Sequence, residues 1–283
     1  MGTSTSSMGP GAGVSLDPEW LDDIDIPNTG NIQSDQQKIE NDENENLINN
    51  NTQDNIETPD LAPKFRFANA RRGMGEYARL GSKESLRKSL GHYSKTGMGG
   101  AEKLSERMRI STKVASNFFH AFQSLRDNEK FSLGELLSEL KKRGANANEI
   151  IDTIIDNVCP KGGSLDEVSC KDSGRVALSQ FMKRNPDADF CELTDDQIWS
   201  LTSIFLGNEA FNRVQLDIGQ CFEKQDIPVV ERVNRMNEMK DYLQSEISVQ
   251  LNLLRNSEHQ IYDMQKLFQK AIKNTFEIYE VEV

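Results

Sequence analysis

The segment after Pro228 constrains this chain most, because its apolar residues recur every seven positions with no glycine or proline among them. Taking Val233, Lys240, Ile247, Leu254, Ile261, Phe268 and Thr275 as a positions and Met236, Leu243, Gln250, Ser257, Met264, Ala271 and Ile278 as d positions, ten of the fourteen are apolar. A stripe repeating every 3.5 residues stays on one side of a helix only if that helix supercoils around a neighbour. The spacing therefore predicts a coiled coil over 227–283 that joins copies of the chain through Val233, Met236, Leu243, Ile247, Leu254, Ile261, Met264 and Phe268. Lys240, Gln250 and Ser257 interrupt the seam where polar residues can set register and strand number. Val249, Leu251, Leu253, Leu267 and Ile272 widen the stripe to the breadth of a helix with several neighbours, so a second reading folds it back on its own chain. The length of the heptad favours self-association.

Residues 101–226 read as a helical domain. Leu104, Met108, Val114, Phe118, Phe119, Phe122 and Leu125 recur at helical spacing, and Ser132 with Glu135 predicts a capped helix that ends at Gly144. Asn148 to Val158 forms a third helix with Ile150, Ile151, Ile154 and Ile155 on its core face. A shorter one spans Arg175 to Lys183, and Thr194 with Gln197 is a capping box that opens a helix through Trp199 and Phe205. No alternating pattern with hairpin turns occurs, so the class is all-α: a disordered acidic N-terminal arm, a small helical domain and a long C-terminal coiled-coil helix.

The net charge of −12 belongs to one end of the chain. Residues 1–60 hold thirteen Asp/Glu against Lys38 alone, and the remainder is balanced. Such a segment has too little apolar surface to offset its ordering entropy, so 1–63 reads as a disordered arm. Within it, 16–27 is an apolar island whose Leu16, Trp20, Leu21 and Ile24 would line one face of a short helix, a recognition element for a partner's groove.

Residues 64–100 invert the charge, with nine basic and two acidic side chains, and interleave Phe65, Phe67 and Tyr77. Arg71, Arg72, Arg79, Arg87 and Lys88 suit phosphates while rings stack on bases, so RNA or a partner protein is a candidate ligand. Seven glycines equally mark the stretch as a linker, and Ser82, Ser85 and Ser89 beside the bases are candidate phosphorylation sites.

The sequence holds no motif for catalysis: no G-x-S-x-G, no Walker A loop, no H-E-x-x-H and no dinucleotide fingerprint. Cys159, Cys170, Cys191 and Cys221 have no C-x-x-C spacing, and none of the three histidines lies beside a cysteine, so neither a metal nor another cofactor is expected. No apolar run approaches a membrane span, and reduced thiols in a cytosolic or nuclear compartment follow.

An acidic arm with an apolar island, a basic serine-bearing stretch, a helical domain and an oligomerising coil resemble the phosphoproteins of non-segmented negative-strand RNA viruses, plant rhabdoviruses nearest. That resemblance implies a non-catalytic oligomeric scaffold in the host cytoplasm or nucleus. It would serve viral RNA replication and transcription as a chaperone that keeps nucleoprotein free of RNA, and would bridge the large polymerase protein to the nucleocapsid. Those viral proteins place oligomerisation centrally, whereas here the coil comes last. Two other classes remain open on the residues alone: a cellular coiled-coil adaptor, and an RNA-binding regulator or silencing suppressor acting through 64–100.

Overall fold

Between Ile198 and Ala210 every residue except Ser200 is buried. A helix covered on all faces must be surrounded by others, and this one is the centre of an all-helical body. The computed structural model describes residue 63 and residues 65–127, 132–223, 226–257 and 263–283, all within one unit spanning Pro59–Val283. Among the described residues there is no strand, so the all-α reading holds. The arm over 1–63, with Leu16, Trp20, Leu21 and Ile24, lies outside the described residues but for Pro63.

In chain order the elements are α1 (Ala68–Leu80), α2 (Lys83–His92), a π-helical turn (Tyr93–Met98), α3 (Ala101–Arg107), α4 (Arg109–Arg126), α5 (Ser132–Lys142) and α6 (Ala147–Val158). They continue with α7 (Leu165–Arg184), α8 (Asp195–Ile218), the short α9 (Gln220–Glu223), α10 (Val229–Ser257) and α11 (Met264–Glu280). α8 packs against α4, α7 and α10, while α11 lies along α10 and also meets α2, α3 and α4.

Local chemistry sets several of these ends. Thr194 caps α8 by accepting from the Gln197 N–H at 3.3 Å, and Gln197 returns the bond to the Thr194 N–H at 2.8 Å. Gly144, at φ +70, closes α5 where a Cβ would be strained. Ser164 and Glu167 form a second reciprocal box, so α7 begins ten residues before the expected start at Arg175. The first half of α7 buries Cys170, Ser173 and Gly174, residues too small or polar to register as an apolar stripe. Gly174 lets the helices approach closely there: a Cβ would meet the movable Ile155 Cδ1 at 2.5 Å and Phe118 Cζ at 3.2 Å.

Two expectations about organisation are corrected. Residues 64–100 are not a linker, because α1, α2 and the π turn bury Ala70, Met74, Tyr77, Ala78, Leu86, Leu90 and Tyr93 in the same core as α8. The heptad segment is not one continuous helix either. α10 ends at Ser257, α11 begins at Met264, and the two pack beside each other and against the rest of the body. The widened stripe explains why: with apolar residues on several sides, these helices satisfy their burial within the chain.

Candidate functional site

The described residues singled out by sequence each have a definite place, and they do not assemble into one site. Of the proposed seam, Leu243, Ile247, Leu254, Met264 and Phe268 are buried among the chain's own helices, Met236 packs at the edge of the core, and Val233 is half exposed. Ile261 lies outside the described residues. Trp199 and Phe119 pack edge-to-face on Phe268, with ring centres 6.2 Å away in each case, so the heptad's aromatic position is already filled from within.

The basic stretch is divided between two helices and partly neutralised. Arg71 donates to the main-chain oxygen of Asp217 at 3.1 Å, Arg87 pairs with Glu282, and Lys88 pairs with Glu84 at 2.6 Å, whereas Arg72 and Arg79 face solvent. Phe67 is stacked on Tyr93 at 5.7 Å and Tyr77 is buried, so neither ring is free to stack on a base. Phe65 alone of the three is open, at 88% exposure. Ser82 is the N-cap of α2, accepting from the Ser85 N–H at 3.3 Å, and Ser85 is buried. Ser89 is wholly buried and donates to the Ala70 carbonyl at 2.7 Å. As candidate phosphorylation sites Ser85 and Ser89 are therefore corrected, because a kinase needs an exposed hydroxyl.

One polar cluster was not legible in the sequence. Glu209, buried in mid-α8, accepts from Ser111 Oγ at 2.6 Å, from Ser169 Oγ at 3.0 Å and from the Cys170 thiol at 3.4 Å. These donors come from α4 and α7, so the carboxylate ties three helices together. Burial pushes the Cys170 thiol well up, helped by the neighbouring Glu209 charge, and pushes Cys159 up to about 12. Both are buried, and the upward shift disfavours the thiolate that a nucleophile needs. No group of three or more His, Cys, Asp or Glu that could hold a metal occurs among the described residues.

A cleft of about 740 Å³ opens where the chain entering α1, the π turn, α3, α4, α7 and α11 meet. Arg66, Lys103, Arg107 and Arg109 line it, against the carboxylates of Glu106 and Asp166, with Met98 and Ile110 as apolar wall. Asp166 is taken by Arg213. None of the four cations has a carboxylate within ion-pair distance among the described residues. The buried Met108, with ψ 16, breaks the helix between α3 and α4. In an unbroken helix residues two apart point to different sides; the break lets Arg107 and Arg109 reach one cleft.

These features define a class: a helical body whose reactive side chains are tied into structure and whose surface offers a cationic cleft, without an assembled catalytic constellation among the described residues. Comparison with known proteins gives the family. A family model described as Qat anti-phage system associated protein QatB matches residues 99–279, from the glycine pair before α3 into α11, and the chain belongs to this family. No curated protein and no solved structure matches it.

That membership overturns the resemblance to rhabdoviral phosphoproteins and what was drawn from it. Viral nucleoprotein and the large polymerase are not its partners, viral replication and transcription are not its process, and a eukaryotic host's cytoplasm or nucleus is not its setting. The viral scaffold falls with them, and the cellular-adaptor and silencing-suppressor alternatives are not supported by the family either. The features that suggested a phosphoprotein were arrangement and charge, which unrelated chains can share. No helix among the described residues is long and apolar enough to cross a membrane.

Proposed function

We propose that this chain serves a bacterial anti-phage defence system as a binding component and not as its catalyst. The family match over α3 to α11 carries the first half, since the matched region takes in most of the helical body. The second half is supported by the state of the side chains that nucleophilic or acid–base chemistry needs. Cys159 and Cys170 are buried thiols with raised pKa, Cys191 is raised by burial as well, and Ser111, Ser169 and Glu209 are occupied with one another across helices. A catalytic group must meet its substrate in a cleft. Most of the charged groups around this cleft are cations, which bind and orient anions.

The test is efficiency of plating on bacteria carrying the complete Qat system, with this chain deleted and then restored. The wild-type chain should restore protection. Cys159→Ala, Cys191→Ala, His92→Gln and His120→Gln should restore it equally, provided each accumulates and melts as wild type does. Loss of protection in a folded variant of that set would show a chemical role and sink the non-catalytic reading.

A further inference from the structure

The cleft between α3, α4 and α7 holds positive charge that the protein itself leaves uncompensated. Setting aside Asp166 with Arg213, four cations face the single carboxylate of Glu106, a local excess of three. Clustering like charges costs folding energy, and elsewhere on this body cations are placed beside acids, as Arg87 is beside Glu282, Arg255 beside Asp195 and Asp196, and Arg175 beside Asp152. Other unpaired cations, such as Arg72 and Arg79, stand on the open helix surface; here Arg66, Lys103, Arg107 and Arg109 share one cleft.

The set is also held in place. Arg66 lies over the Phe67 ring at 4.8 Å, Phe67 stacks on Tyr93, and the Tyr93 hydroxyl donates to Asp217 at 2.8 Å. Gly97, in the π turn, makes room for this stack: a Cβ there would lie 2.5 Å from the Phe67 ring. A π turn costs regular helix bonding and recurs at functional sites, and here it seats the ring that carries one of the cleft's arginines. Arg107 and Arg109 are brought together by the break at Met108, so the cations converge from separate elements. Guanidinium groups suit the paired oxygens of phosphates. The volume is that of a small-molecule site, and Met98 and Ile110 supply a limited apolar wall.

We propose that this cleft binds a small ligand carrying two or more phosphate groups, Arg66, Lys103, Arg107 and Arg109 holding the phosphates. The proposal rests on the reading of the chain as a binding component and names the ligand class for it. One charge would leave most of the excess uncompensated, whereas a diphosphate or triphosphate matches it.

Isothermal titration of the full chain at low salt tests this with ATP, ADP, AMP, inorganic tripolyphosphate, adenosine and citrate as probes. ATP or tripolyphosphate should bind saturably, adenosine should not, and AMP should be weaker than ADP. Tripolyphosphate equal to ATP would mean the ligand is read by its phosphates alone; ATP tighter would add recognition of the nucleoside; either supports the site. Arg107→Ala and Lys103→Ala should each weaken binding about tenfold, equivalent to roughly 1.4 kcal/mol. Arg72→Ala and Arg79→Ala, which remove the same charge elsewhere, should leave binding unchanged, and all variants should melt as wild type. Absence of saturable phosphate binding, equal binding of citrate, or indifference to the cleft substitutions overturns the proposal. Protection lost on Cys or His substitution, with these titrations unaltered, would instead strike the non-catalytic reading and leave the cleft standing.

Discussion

Gly207 of α8 lies so close to Gln244 of α10 that a Cβ on the glycine would sit 2.7 Å from the Gln244 Cα. The obstacle is partly main chain, so it yields only if the helices separate. Gln244 uses the approach to donate to Asn208 Oδ1 at 2.7 Å, a buried bond that such a separation would strain.

The first prediction compares two helical glycines. Alanine is better than glycine in a helix by about 1 kcal/mol, which opposes any steric cost. At Gly174 the nearest atom is the movable Ile155 Cδ1, so Gly174→Ala should change stability by less than about 1.5 kcal/mol. At Gly207 the cost should win, with Gly207→Ala losing about 2–3 kcal/mol in urea unfolding. Equal losses at the two sites would contradict the close α8–α10 approach.

The second prediction concerns the heptad. Ile247 and Leu243 are fully buried within one chain. Ile247→Ala or Leu243→Ala should therefore lower the unfolding free energy by about 2–5 kcal/mol, and by the same amount at every protein concentration. A transition midpoint that rises with concentration in the wild type, and ceases to do so in the variant, would return this stripe to an interface between copies.

That pair also shows what periodicity can and cannot tell. A seven-residue repeat reports that one side of a helix is dry, and Leu243, Ile247 and Phe268 are dry; it does not report whose side chains cover them. Capping is local and was readable, as at Thr194 and Gln197. Ser164 and Glu167 carry the same signature, but the residues that follow, including Cys170, Ser173 and Gly174, pack by being small and leave no apolar trace. The cleft had no sequence signal at all. Arg107 and Arg109 should diverge on a helix, Met108 between them is a good helix former, and Arg66 arrives from another element.

The third prediction separates the serines of α2. Ser82 is a cap, and Asp caps as well as Ser, so Ser82→Asp should be neutral within about 0.5 kcal/mol and Ser82→Ala should cost about 1 kcal/mol. Ser89→Asp would bury a charge beside the Ala70 carbonyl and should cost about 3 kcal/mol or more. Thermal melts of the three variants check the order; a Ser89→Asp chain as stable as wild type would mean that α2 does not pack on α1 as described.

The last prediction uses the thiols. Burial pushes Cys159 up to about 12, and an unfolded cysteine titrates near about 8.5. The native state therefore keeps the proton that the unfolded state loses, so stability from this group is complete below about pH 8.5 and falls as the pH rises toward 12. Cys159→Ala should flatten that alkaline slope relative to wild type, after allowance for a constant packing loss. Alkylation gives an independent check at pH 8. The half-buried Cys191 should react slowly in the native chain, and Cys159 and Cys170 should react only in denaturant. Rapid native labelling of Cys159 would mean that the end of α6 opens from α7, and would remove the basis for treating these thiols as structural.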